Sequence, residues 1–174
     1  MSTYAPALAR LAIDCESEGL TAANAEKIAA ELARAFRVSS AEVGILRVEN
    51  DALVFVHPSK LQNVARIPLT TTTSIAARTA NTRRAEIINN LVRTRHASFF
   101  EMVDVNPEGE EKRAKEQQII QKLMSAPVIS MSKVVGVVQI CRKGPTAPAS
   151  GPDFLPSELQ KLVAMANGLG KCFK

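Results

Sequence analysis

The chain has 174 residues, 46% of them apolar, which is enough for one domain with a real core and too short for an ordinary pair of domains. Its net charge of +5 invites a nucleic-acid partner, but five arginines between Arg78 and His96 are followed by five acids and no base between Glu101 and Glu111, so neighbouring blocks can neutralise each other. With one Tyr, six Phe and no Trp the chain also lacks the stacking aromatics of single-strand readers, and no nucleic-acid partner is expected.

No apolar run approaches the roughly 20 residues of a membrane helix, and Met1 to Arg10 lacks a basic region followed by an apolar one. A cytoplasmic protein with no membrane partner is expected. Cys15, Cys141 and Cys172 are an odd number at unrelated spacings, which suggests neither a disulfide framework nor a zinc site and predicts reduced thiols.

Leu8, Leu11, Ala12 and Cys15 recur at helical spacing and stop at Gly19, which predicts an amphipathic first helix. Thr21 reads as the N-cap of a second, in which Ile28, Leu32 and Phe36 line one face beside Ala25, Ala29 and Ala35. That stripe suits a dimer surface or the domain's own sheet equally well. Val43–Val48 and Ala52–His57, separated by Glu49-Asn50-Asp51, predict a β-hairpin. Four threonines and a serine, Thr70 to Ser74, then open a short helix over Ile75–Asn81, and Ala85–Ile88 reads as a strand. Leu91–Met102 is mixed, Val103–Glu111 reads as an acidic loop, and Lys112–Lys122 is expected to be helical with Ile119 and Ile120 as its apolar end. Leu123–Ser130 and Lys133–Lys143 flank a two-residue turn and predict a second hairpin. A loop over Gly144–Pro152 leads to a last helix with Leu155, Leu159, Leu162, Val163 and Ala166 on one face.

Ser125-Ala126-Pro127-Val128-Ile129-Ser130 followed by Lys133-Val134-Val135-Gly136-Val137-Val138-Gln139-Ile140 resembles the penultimate hairpin of GAF domains, with Gly136 at its most characteristic position. A glycine inside a strand permits a bulge or a close backbone approach. Arg142-Lys143, Phe154 and Glu158 resemble the continuation into the family's last helix, and Ile67-Pro68-Leu69 through Ala85–Asn90 resembles its central segment. The resemblance runs from Thr21 to Phe173. Two departures, Arg142 for an asparagine and Glu158 for an aspartate, leave the cyclic-nucleotide version of the pattern incomplete. The resemblance implies an α+β, PAS-related fold: a five- or six-stranded antiparallel sheet with N- and C-terminal helices on one face and a ligand pocket on the other. Residues 1–20 would form an N-terminal helix and 21–174 the GAF domain. It also implies a sensing or dimerisation role, with terminal helices pairing in a homodimer and output through partner contacts.

Thr71, Thr72, Thr73 and Ser74 offer hydroxyls and free backbone N–H groups at a helix start, where an anionic small molecule is favoured, and Arg78 lies one turn along. Phe55, Phe99 and Phe100 would supply apolar walls. The competing reading is a strand end with an N-cap and aromatics in the core. His57 and His96 stand apart from any second ligand, so no metal or haem is expected. Free methionine sulfoxide reductases resemble isolated GAF domains and use cysteines in the loops over the pocket; no cysteine lies between Cys15 and Cys141 here, and bilin attachment meets the same objection. With no catalytic triad, phosphate-binding glycine loop or paired carboxylates in view, the expectation is a sensor without catalytic residues or cofactor, its unknown ligand bound by those eight side chains. A ligand-free interaction module is the alternative.

Overall fold

The computed structural model describes residues 4–64, 66–91 and 119–173. Helix α1 (Tyr4–Glu18) ends at Gly19, whose φ of 78° lies in the left-handed region that glycine enters without strain. Thr21 caps α2 (Ala22–Phe36) by accepting from the Asn24 backbone N–H at 3.1 Å, and the Asn24 amide returns a hydrogen bond to the Gly19 carbonyl. Strands β1 (Val43–Glu49) and β2 (Ala52–His57) form the expected hairpin, its two turn residues Asn50 and Asp51 both at positive φ. Then come β3 (Arg66–Pro68), α3 (Ile75–Thr82), β4 (Glu86–Ile88), the long hairpin β5 (Ile120–Ser130) and β6 (Lys133–Lys143), and α4 (Pro156–Gly168).

The six strands form one antiparallel sheet in the order β3-β2-β1-β6-β5-β4. One face packs Val43, Ile45, Met124, Val138 and Ile140 against the terminal helices α1, α2 and α4. On the other face Leu46, Leu53, Phe55, Ile67 and Val137 meet Ala76, Ala77 and Ala80 of α3, and Leu123 and Cys141 meet Ile75. The sheet is thus the middle layer, and each strand alternates its side chains between two cores.

One expectation resolves differently from its sequence reading, and the α2 stripe takes one of its two alternatives. Residues 120–122, expected at the end of a helix, are the first residues of β5, where Lys122 pairs with Arg142 and Ile120 with Lys143; tertiary pairing overrides a locally helical pattern. The rest of that expected helix, with the mixed segment and the acidic loop before it, lies outside the described residues. The α2 stripe is used within the monomer: Ala25, Ile28, Ala29, Leu32 and Phe36 are buried in the core it shares with the sheet.

Candidate functional site

The register of the sheet places Gly44, Gln139, Ser125 and Glu86 in one row across β1, β6, β5 and β4. A bulge creates this row. Counting back from the Met131-Ser132 turn would set Ser125 opposite Val138, but the register shifts between Val128 and Ile129, and Ser125 meets Gln139 instead. Two polar side chains therefore face each other beneath α3.

Thr79 of α3 comes down onto that pair. Its hydroxyl donates to the Ile75 carbonyl at 2.9 Å, so its single proton is committed, and the Ser125 hydroxyl 2.7 Å away must donate to Thr79. Ser125 then accepts the Gln139 Nε2 proton at 3.2 Å. The direction of the chain is fixed: amide to serine to threonine to backbone. It also fixes the amide orientation of Gln139, whose Oε1 meets no donor among the described residues. Thr79, Ser125 and Gln139 are 0%, 1% and 4% exposed, and a buried acceptor left without a donor costs about 1–3 kcal/mol.

At the end of the row the Arg78 guanidinium forks onto Glu86, with Nε to Oε1 at 2.9 Å and Nη2 to Oε2 at 2.7 Å. Both side chains are about one-third exposed, so the pair orients α3 over β4 more than it stabilises the fold. Cys141, two residues beyond Gln139 on the same strand face, is buried against Ile75 and Leu123.

Of the residues singled out from sequence, Arg78 borders this row and Phe55 lies fully buried among Leu46, Leu53, Ile67 and Val137. Ser74 is buried and acts as the N-cap of α3, its hydroxyl accepting from the Ala77 N–H at 3.2 Å. Thr72 and Thr73 are exposed, and the Thr71 N–H closes a turn onto the Pro68 carbonyl, so the hydroxyl run does not converge. Phe99, Phe100 and His96 lie outside the described residues. His57 is buried and bonds the Ser40 carbonyl at 3.0 Å. Among the described residues no three His, Cys, Asp or Glu gather as metal ligands, and no helix is long and apolar enough to cross a membrane. Sequence reasoning passed over Thr79, Ser125 and Gln139; the hairpin that holds two of them was legible, and the bulge that pairs them was not.

The two departures from the family pattern prove to be neighbours. Arg142 lies 3.5 Å from Glu158, its guanidinium donates to the Pro152 carbonyl, and it stacks on the Phe154 ring at 4.1 Å. Lys122, its partner across the hairpin, donates to the Gly151 carbonyl at 2.5 Å and pairs with Asp153 at 2.9 Å. Two buried cations thus clamp the loop before α4 onto the helix-covered face, and both are engaged there.

Solved structures with the same fold include the GAF domain of an Acinetobacter phosphoenolpyruvate-protein phosphotransferase (TM-score 0.66, 17% identity, 99% of this chain and 94% of that one). Others are fRMsr of Staphylococcus aureus in its reduced form (0.61, 16%, 100% and 97%) and the free methionine-R-sulfoxide reductase of Neisseria meningitidis in complex with its substrate (0.61, 17%, 98% and 87%). The expectation of a chain that is not an enzyme is thereby overturned: this architecture, over nearly its full length, is also that of reductases, and the absence of a cysteine between Cys15 and Cys141 is no ground for excluding catalysis. No curated protein matches the chain by sequence. The model of the GAF domain family matches residues 22–172, all of the fold except α1 and the extreme C-terminus, and the chain belongs to that family.

Proposed function

We propose that this chain is a small-molecule-sensing GAF domain whose ligand lies on the α3 side of the sheet and is read by Gln139. The observation that supports this is the directional chain Gln139–Ser125–Thr79–Ile75, which locks the amide and leaves its Oε1 without a donor among the described residues. A buried acceptor held without a donor is suited to a ligand that brings an N–H or O–H group. The anionic ligand suggested by the hydroxyl run has less support, since Ser74 is spent on capping and Arg78 is engaged by Glu86. Output through a homodimer, with ligand-dependent packing of the terminal helices, completes the proposal.

The test is a thermal-shift screen of amino acids, amides and nucleobases against wild type and Gln139→Leu. The expected result is a compound that stabilises wild type and binds the variant at least tenfold more weakly, while the variant alone melts within a few degrees of wild type. Unchanged affinity in the variant would contradict the assignment.

Cys141 supports a second reading. It is a thiol on the same strand face as Gln139, and neighbours on this fold are methionine-R-sulfoxide reductases. Reduction of free methionine-R-sulfoxide by the chain with a thiol reductant, abolished in Cys141→Ser, would favour catalysis over sensing; no turnover above the reductant alone would leave the binding role.

A further inference from the structure

Two thiols meet on the opposite side of the molecule. Cys15 sits in the last turn of α1 and Cys172 in the 3-10 turn Gly170–Cys172 that follows α4; both are completely buried. The two side chains share one buried cluster, and the Cys172 thiol donates to the Ala12 carbonyl, 3.7 Å away and three residues before Cys15 on α1. They come from opposite ends of the chain, and each belongs to an element that the other holds in place.

Helix α1 is lightly fastened. It precedes the residues matched by the family model, Leu8 and Cys15 are its buried side chains among those described, and Ile13 is 67% exposed. Between α1 and α4 runs a groove of about 410 Å³, bordered by Ala12, Ile13, Ala164 and Met165, with Glu16 and Lys171 only 3.7 Å apart at its rim. A helix docked through so few apolar contacts opens locally at a far smaller cost than global unfolding.

We propose that Cys15 and Cys172 are a reversible redox-modification site, forming a disulfide that fastens α1 to the end of the domain. A hydroperoxide is the oxidant. With α1 open, one thiol loses its proton to solvent and its sulfur attacks the peroxide, forming S–O and breaking O–O as water or an alcohol departs. When α1 closes again, the second sulfur attacks the first, forming S–S and breaking S–O with loss of water. Two thiols and one hydroperoxide become one disulfide, one alcohol or water, and one water; the two electrons pass from sulfur to the peroxide oxygens. Closed, the pair resists this chemistry: burial pushes the Cys172 thiol up to about 12 and raises that of Cys15, so neither is the reactive thiolate near neutrality. The opening of α1 is therefore the gate, and the shared burial of the two sulfurs in the closed state directs the sulfenic acid to its partner instead of onward oxidation.

The test treats the full chain with hydrogen peroxide under native conditions, alkylates remaining thiols after denaturation, and maps the peptides. The expected products are a Cys15–Cys172 linked peptide reversed by dithiothreitol, an alkylated Cys141, and at least tenfold slower amide exchange across α1 in the oxidised protein. Cys15→Ala and Cys172→Ala, each checked for a cooperative melt, should both abolish the link. Sulfinic or sulfonic acid at either cysteine without the linked peptide would overturn the proposal. So would a link through Cys141 or between chains, or two unreacted thiols while amide exchange shows α1 opening.

Discussion

Gly136 carries more of the fold than its size suggests. A Cβ built there would lie 2.4 Å from the Leu46 carbonyl oxygen and 2.4 Å from the Phe173 ring, so the glycine lets β1 approach β6 while the C-terminal aromatic closes over the same spot. Gly136→Ala is expected to destabilise by about 3 kcal/mol, since rigid backbone on one side leaves only Phe173 free to yield; a urea melt with an unchanged midpoint would refute this. The sequence pattern pointed to this residue because a glycine within a run of valines is locally unfavourable and needs a tertiary reason. Gln139, three residues on, gave no such signal. Glutamine is unremarkable in a strand, and its meaning comes from which residue faces it.

Pairing of elements explains that blindness. Both hairpins could be read from alternation and turn residues, but a β-bulge is set by how two strands accommodate the layers above and below, and it moved Ser125 from Val138 to Gln139. The same limit applies at Ile120, where two adjacent isoleucines at the end of a charged stretch suit either a helix end or a buried strand start. By contrast, α3 was legible to within a residue because its N-cap is local chemistry. Ser74→Ala should cost about 1 kcal/mol by leaving the Ala77 N–H unpaired in a buried place. Because Thr79 rides on α3, the variant should also weaken ligand binding measurably by calorimetry; full affinity would show that α3 does not position the site.

At the scale of the whole molecule, order and type of elements followed largely from patterning, whereas the placing of the terminal helices on one face of the sheet came from the family resemblance and not from periodicity. The α2 stripe seals the core, so an interface between copies has to use other surface. Arg142 and Glu158, each a departure when read alone, make one contact that anchors the loop before α4. The helix-covered face is thus fastened by salt bridges and apolar packing, with the Cys15–Cys172 pair at its edge. The α3 face holds the buried polar row. In the proposed function the α3 face binds the ligand and the helix-covered face reports it, with α1 as the element to be moved.

Native mass spectrometry of gently purified wild type and Gln139→Leu tests the central claim most directly. The account predicts a defined, non-covalent extra mass on wild type that is absent from the variant, with both showing the same subunit stoichiometry. A wild-type spectrum with no retained mass, or equal retention by the variant, would contradict the reading of Gln139 as the residue that recognises the ligand.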